Sequence, residues 1–272
     1  MPELGEVIFY SKQWEPGLNE TIREVCLHAK KRVFRECDPS ELAARLTGSK
    51  LRQRLTHGKQ MAFRADAGWL GIHLGMAGKL RAEPTSYQPG KHDHLVLRTS
   101  RRSLVFEDFR LFGRVRWSTG ADAPAWWTSQ PLAPHDAAFT AARFREILQR
   151  RGKAPIKAVL LLQEFFPGIG NWMADEILWR ARVRPDRPAG ELSPRKTNEL
   201  FRRLREVCAD AERVIGGNGL TKLHGAANDN IPEDWLFLHR WRDGGTCPQT
   251  GQPLRRETIG GRTTCWSPRW QR

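Results

Sequence analysis

The sequence predicts an α+β protein with a β-rich N-terminal half, a helical second half and a C-terminal hairpin. Three observations indicate this order. Short apolar runs bounded by glycine, proline or charge dominate the first hundred or so residues. After a polar, proline-bearing stretch near residues 118–135 the hydrophobic period becomes helical. Near the end, Gly260-Gly261 lies within the segment 246–271, which has the pattern of a hairpin.

The β-rich half contains three clear strand candidates. They lie at residues 68–74, 94–97 and 103–106, and each is apolar and short. Such strands are typical of a β-sandwich or a barrel. A domain boundary is expected near residues 120–135, where Pro124, Pro131 and Pro134 interrupt the pattern.

Three helices are predicted in the second half. The first covers residues 156–162, because Pro155 is tolerated at a helix start and Pro167 requires a stop. A glycine-containing turn at 168–170 leads to a second helix over 171–181, for which Asn171 is the expected N-cap. The third opens at Ser193-Pro194 and ends at Gly216-Gly217.

Composition narrows the class of function. The chain has 272 residues with 45 Lys+Arg against 30 Asp+Glu, a net charge of +15. This excess favours a polyanion such as nucleic acid over a neutral metabolite. An anionic membrane surface would also attract this charge, but no run approaches the roughly 20 apolar residues that span a bilayer, so no membrane association is expected. Five cysteines without a CxxC pair predict a reducing cytoplasm.

The glycine turn before Asn171 is a candidate phosphate site. A helix start directs free backbone N–H groups outward, and an asparagine adds an amide. Lys153 and Lys157 lie nearby in sequence and favour a phosphate ligand. The competing interpretation is an ordinary helical hairpin with a capping asparagine.

The first residues, MPELGEV, are a candidate catalytic segment. If Met1 is removed, Pro2 becomes a terminal secondary amine, and α-amino groups titrate near roughly pH 8. Such an amine can attack a sugar C1′ and form an iminium, while Glu3 protonates the departing or ring-opening oxygen. Alternatively, Pro2 and Glu3 only begin a helix, with proline in its first turn beside an acid.

The motifs in combination resemble the formamidopyrimidine-DNA glycosylase and endonuclease VIII family. MPELGEV is similar to the family start MPELPEV, with Gly5 in place of a proline. Further matches follow in order along essentially the whole chain: Gly58-Lys59, residues 73–78 (HLGMAG), 91–94 (KHDH), 108–113 (DFRLFG), 156–181 and 261–264 (GRTT). The resemblance implies an N-terminal β-sandwich domain plus a C-terminal helical domain with a helix–two-turn–helix and a C-terminal β-hairpin.

The resemblance also implies catalytic roles. Pro2 is the Schiff-base nucleophile and Glu3 the proton donor, with Glu6 positioning the leader. Lys59 contacts the sugar-phosphate and assists β-elimination, and Arg262 aids δ-elimination.

DNA-binding roles are implied in the same way. Met76, Arg110 and Phe112 fill the gap that an everted nucleotide leaves. Four residues are implied to contact phosphates: His92, Lys153, Asn171 and Arg262. His92 could instead be structural, as is expected of His94. Leu111 stands where an arginine is common, so the orphaned base is expected to be read differently.

The C-terminal hairpin departs most from the family pattern. A zinc hairpin of this family needs two CxxC pairs, since structural Zn²⁺ takes four ligands. Of the four family cysteine positions only Cys247 is kept, while Ser267 and Trp270 occupy the second pair and Cys265 comes two places early. The hairpin resembles the zincless fingers of the family, and no cofactor is expected. Trp266, Pro268 and Trp270 are expected to supply apolar packing instead.

The predicted function is a bifunctional DNA glycosylase and abasic-site lyase that excises damaged bases and nicks the strand. The alternatives are a non-catalytic binder of damaged or branched DNA on the same scaffold, and a nucleic-acid protein that uses only the helix–two-turn–helix. The expected domains are residues 1–125, 136–240 and 241–272. We expect a cytoplasmic monomer, associated with the nucleoid if the source is bacterial, that binds double-stranded DNA containing damaged bases or abasic sites. The loop at 220–235 matches no lesion-covering version, so the lesion stays open.

Overall fold

Two units make up the chain in the computed structural model, which describes residues 1–219, 227–229 and 231–272. The first unit comprises Met1–Gln130 with Ile215–Asp229, and the second comprises Pro131–Val214 with Asn230–Arg272. Within the described ranges, no helix has both the length and the apolar character needed to cross a bilayer. All five cysteines are free.

The first unit is built on two antiparallel four-stranded sheets. One has the strand order β1-β6-β7-β5 and the other β2-β3-β4-β8. The strands are β1 Glu24–Leu27, β2 Leu51–His57, β3 Gln60–Ala65, β4 Gly68–His73, β5 Lys79–Glu83, β6 Asp93–Arg98, β7 Ser103–Glu107 and β8 Arg114–Thr119. Its helices are α1 Leu4–Lys12, α2 Pro39–Leu46 and α3 Ala125–Thr128.

The two sheets share one apolar core. Phe63 on β3 and Leu70 on β4 belong to the same buried cluster as Leu95 on β6 and Phe106 on β7. Trp14, just after α1, joins both sheets, because its ring lies 5.0 Å from that of Phe63 and its indole N–H donates to the Val105 carbonyl at 3.3 Å. The predicted β-sandwich is therefore confirmed.

The second unit is helical and ends in a hairpin. Its helices are α4 Ala141–Arg150, α5 Ile156–Leu160, α6 Asn171–Ala181, α7 Pro194–Asp210 and α8 Leu236–His239, and its strands are β9 Arg255–Ile259 and β10 Arg262–Trp266. Helix α7 opens as predicted, with the Ser193 hydroxyl accepting from the Lys196 N–H at 3.3 Å. The prediction that Asn171 is the N-cap is wrong by one residue, since Gly170 takes that position and frees the Asn171 amide for another partner.

The chain returns to the first unit after α7. The segment Ala211–Ile215 is π-helical and Gly216–Gly219 forms a 3₁₀ turn. Gly216 packs closely on α1, because a Cβ atom there would lie 2.8 Å from the Ile8 Cγ2 atom. From Ile215 onward the stretch belongs to the first unit, whereas the sequence placed it in the helical domain. Of the predicted lesion-covering loop, residues 220–226 and 230 lie outside the described residues.

Candidate functional site

The first residues hold two carboxylates in a reciprocal arrangement. Glu3 is the N-cap of α1, and its side chain accepts from the Glu6 N–H while the Glu6 carboxylate accepts from the Glu3 N–H at 3.2 Å. Both side chains are buried, and both face the positive end of the helix dipole, which favours carboxylates. Half-buried Pro2 directly precedes them, and Met1 ahead of it is exposed. Folding therefore fixes an acid beside Pro2.

Lys59 lies in the tight turn between β2 and β3. Gly58 provides the positive φ of 55° that this turn needs, and Lys59 itself is only 8% exposed. The positive charge of Lys59 affects the pKa of His73, which lies at the end of β4. Burial first, and then the Arg114 and Lys59 charges, lower the pKa of His73 to about 4. The neutral ring accepts the Gly75 N–H through Nδ1 at 3.0 Å, which anchors the turn that carries Met76.

A buried carboxylate shapes the loop after β7. Asp108 is fully buried, and its side chain accepts the Arg110 N–H at 3.1 Å and the Gly113 N–H at 2.7 Å. Leu111 adopts a left-handed φ of 59° and its half-buried side chain packs against the sandwich core. The loop thus turns Leu111 inward, while the side chains of Arg110 and Phe112 are exposed.

Met76 and Phe112 come from two loops that touch. A Cβ atom on Gly75 would lie 2.4 Å from the Phe112 carbonyl carbon, so only glycine permits this approach. Met76 is 37% exposed and Phe112 is 44% exposed, and the Arg110 guanidinium lies 5.1 Å from the Phe112 ring centroid. The structure therefore brings together the three residues that the sequence assigned to filling a base stack.

The two histidines at the start of β6, His92 just before the strand and His94 within it, differ in environment. His92 is exposed, and its ring centroid lies 6.5 Å from that of Phe109. His94 is buried and its Nε2 lies 2.9 Å from the Asp108 carbonyl oxygen, which fits the expected structural role. Phe109 is 57% exposed and had no predicted role, although it stands in the motif that drew attention to its neighbours.

In the second unit, one buried acid joins the helices to the hairpin. The Asp175 carboxylate on α6 forms ion pairs with Lys157 and Arg240, and it accepts the Cys265 N–H of β10 at 3.0 Å. Lys157 also donates to the Asn171 carbonyl at 2.7 Å. Since the Lys157 side chain is fully buried, the prediction that it contacts phosphate directly is wrong. Sequence reasoning missed Asp175, an acid between apolar residues of one helix.

Asn171 and Arg262 lie on neighbouring parts of the second unit. The Asn171 side-chain amide donates to the Thr263 carbonyl at 2.8 Å, which ties the start of α6 to the beginning of β10. Arg262 directly precedes Thr263 at the hairpin tip and is exposed. Lys153 is exposed and precedes α5. The start of α6 and the hairpin tip that carries Arg262 are thus held next to each other.

The two cysteines of the hairpin lie in different environments. No group of three or more His, Cys, Asp or Glu in the described part of the chain could hold a metal. Burial, and then the Asp175 charge, raise the pKa of Cys265 to about 12. Burial alone would raise the pKa of Cys247, but hydrogen bonds led by those from Thr250 and Trp179 lower it.

Aromatic side chains pack around Cys247, and the absence of zinc stays a prediction. Cys247, Trp179 and Leu236 form a buried cluster against which Trp270 packs. The Trp179 indole N–H donates to the Cys247 sulfur at 3.4 Å, and that of Trp270 donates to the Trp179 carbonyl at 3.0 Å. Trp266 is also buried, but Pro268 is exposed, so its predicted place in this packing is wrong because its turn faces solvent.

Comparison with known proteins defines the class. Residues 1–115 match the model of the formamidopyrimidine-DNA glycosylase N-terminal domain, and residues 131–222 match that of the formamidopyrimidine-DNA glycosylase H2TH domain. The chain is 34% identical to the formamidopyrimidine-DNA glycosylase of Alkalilimnicola ehrlichii over 284 residues, covering 100% of both chains. It is 34% identical to that of Thermus thermophilus over 278 residues, covering 100% of this chain and 98% of the relative.

Solved structures agree with this class. The Lactococcus lactis protein in complex with DNA that contains an N7-benzyl-Fapy-dG superposes with a TM-score of 0.85 at 25% identity, covering 99% of each chain. Its complex with DNA that contains an abasic site has the same TM-score at 24% identity and shows the same fold. The chain belongs to the formamidopyrimidine-DNA glycosylase family of DNA glycosylases.

Proposed function

We propose that the protein is a bifunctional enzyme of base excision repair that binds double-stranded DNA, removes a damaged base and cleaves the strand at the resulting abasic site. The observation that carries this proposal is the buried Glu3–Glu6 pairing beside Pro2. A helix start alone does not need two buried carboxylates, since a serine or an aspartate would cap it as well. Holding one acid in a dry site next to a secondary amine suits proton transfer.

The chemistry begins once Met1 has been removed. The Pro2 nitrogen attacks C1′, the bond between C1′ and the base breaks, and the base leaves with a proton. Glu3 protonates the ring oxygen O4′ as the sugar opens, and the nitrogen lone pair completes an iminium at C1′. Glu6 acts through Glu3, because its carboxylate fixes the N-cap backbone from which the Glu3 side chain extends.

Strand cleavage follows from the iminium. Loss of a proton from C2′ expels the 3′ phosphate, and a second elimination expels the 5′ phosphate. Lys59 carries its charge in a mostly buried turn, where a cation stabilises a departing phosphate more than it would in water. Arg262 is assigned to the second elimination. Hydrolysis of the remaining iminium frees Pro2.

Binding of duplex DNA uses groups of both units. Met76, Arg110 and Phe112 would occupy the space that the everted nucleotide vacates, which limits the loss of stacking. His92, Lys153, Asn171 and Arg262 would contact phosphates. The alternative function is a non-catalytic binder of damaged or branched DNA on the same scaffold.

Borohydride trapping tests the proposal. Wild-type protein, with removal of Met1 verified by mass spectrometry, should form a covalent adduct with abasic-site DNA, because borohydride reduces an iminium to a stable amine. A variant with an N-terminal extension ahead of Pro2 should form no adduct, and Pro2→Gly should form far less. Exposed Pro268→Gly serves as the matched control and should trap normally.

The two candidate functions give different outcomes. Glu3→Gln should lose base excision more than cleavage of a ready-made abasic site. If processed wild-type protein binds abasic-site DNA without forming an adduct, the protein is a binder and the catalytic proposal fails.

A further inference from the structure

Four loops of the first unit meet at one end of the sheet β1-β6-β7-β5, where its strands begin or end. The strands are antiparallel, and Leu27 pairs with Leu95, while Glu107 pairs with both Asp93 and Lys79. Strands β1 and β7 therefore terminate at this end of the sheet, and β6 and β5 begin at it. The loops there, in strand order, are residues 28–31, 91–92, 108–113 and 74–78. The last two carry the residues assigned to the base stack.

The first two of these loops form a basic pocket that the proposed mechanism does not use. It is an open pocket of about 400 Å³, lined by His28, Ala29, Lys30, Lys31 and Lys91. The three lysines are exposed, and in the part of the chain that the structure describes none of them forms an ion pair. Three cations around one concavity repel each other and raise its positive potential. The pocket is therefore complementary to an anion.

The wall of this pocket connects to the loop at 108–113. The His94 Nε2 lies 2.9 Å from the Asp108 carbonyl oxygen and must donate to it, since a carbonyl only accepts. Burial lowers the pKa of His94, which leaves its Nδ1 as an acceptor for the His28 Nδ1 at 3.4 Å. His94 thus connects the His28 ring to Asp108, the residue that shapes the loop at 108–113.

We propose that the pocket of His28, Lys30, Lys31 and Lys91 binds a backbone phosphate of the duplex beside the lesion. This inference rests on the proposed function. The pocket lies between one and two strand spacings from β7, roughly 5–10 Å at about 4.8 Å per strand. One DNA strand advances about 3.4 Å per nucleotide, so the contacted phosphate is roughly two or three nucleotides from the everted one.

A phosphodiester fits better than a free phosphate. The pocket is open, as a site must be that accepts a group attached on both sides to a chain. Lys91 is next to His92, which is itself assigned to a phosphate, so the two would contact successive phosphates of one strand.

The test compares two variants with the same loss of charge. Lys31→Gln/Lys91→Gln removes two cations from the pocket, and Arg45→Gln/Arg101→Gln removes two exposed cations elsewhere in the first unit. Arg101 lies in the turn between β6 and β7, at the opposite end of the sheet. Binding is measured against salt on duplexes that carry a stable abasic-site analogue, with each flank shortened stepwise.

On long duplexes the pocket variant should lower the slope of log K against log salt by about 0.9 for each phosphate that the protein no longer neutralises. The difference should disappear once one flank is shorter than about two or three nucleotides, whereas the control variant should depend on flank length as the wild type does. Equal weakening on every duplex, or equal behaviour of both variants, would overturn the proposal.

A second arm uses inorganic phosphate at constant ionic strength. If millimolar phosphate shifts the His28 resonances while flank length has no effect, the pocket takes free phosphate and the assignment to DNA is wrong. Failure of the catalytic proposal is separate, because it would abolish the borohydride adduct while leaving the flank dependence intact.

Discussion

Replacing Asp175 by asparagine should destabilise the second unit strongly. Asp175 and Lys157 are fully buried and Arg240 is 5% exposed, so the neutral side chain would leave two buried cations without their counter-ion. Breaking a buried ion pair from one side costs about 3–5 kcal/mol. At about 2–4 °C for each kcal/mol, the unfolding temperature should fall by roughly 6–20 °C.

Calorimetry of the full chain, with hydrogen exchange to locate the destabilised region, measures this effect. Glu164→Gln is the matched control, because Glu164 pairs with Arg151 at 2.9 Å on the surface, where such pairs contribute about 0–1 kcal/mol. Asp175→Asn/Lys157→Met should recover part of the stability, since one buried cation is then gone. A cost for Asp175→Asn no larger than that of the control would refute the reasoning.

Four further outcomes are expected. Met76→Ala and Phe112→Ala should slow base release from duplex DNA but spare cleavage of an abasic site in single strands, since a stack is refilled only in duplex; equal reductions in single-turnover assays would contradict this. Arg262→Ala should lower the slope of log K against log salt by about 0.9 on lesion and undamaged DNA alike, because one cation is lost, whereas Asn171→Ala removes a neutral amide and should weaken binding to both with little change in slope; unchanged affinities would exclude these phosphate contacts. Elemental analysis should find no stoichiometric zinc, and activity should survive a strong chelator. One equivalent of zinc per chain, with activity lost when that zinc is removed, would show that the hairpin is a zinc site. The pKa of His73 is about 4 in the fold and about 6.5 in the unfolded chain. The contribution of the neutral His73 ring to the free energy of unfolding is therefore fully present above pH 6.5 and is lost as pH falls towards 4. Wild type should therefore lose about 3 kcal/mol more than His73→Gln across that window in denaturant titrations, and parallel profiles would contradict the assignment.

The sequence predicted those elements whose signals are local. The cap at Ser193, the strand pattern around Phe106 and the glycine pair at 260–261 each act within a few residues, and each appears in the structure. The shared sandwich core also follows, because alternating apolar residues must be covered by a second layer.

Other features depended on partners that are distant in sequence. Lys157 looked like a surface cation, because its burial depends on Asp175, 18 residues away, and on Arg240, 65 residues from Asp175. The inward turn of Leu111 requires a left-handed backbone that Asp108 stabilises, and propensity disfavours it for leucine. Pro268 has the apolar character of a core residue but lies in an exposed turn.

The carboxylate of Asp108 has a consequence for how damage is found. Because it fixes the backbone of the loop through two N–H groups, the loop needs little ordering when DNA arrives. When a rigid loop that carries Arg110 and Phe112 contacts a duplex, the duplex changes conformation and the loop does not. Under the proposed function, the free energy of everting a nucleotide is then spent on the DNA, and it is smallest where pairing or stacking is already weak. Discrimination would thus begin with how easily each nucleotide leaves the stack, before any side chain has recognised the damaged base.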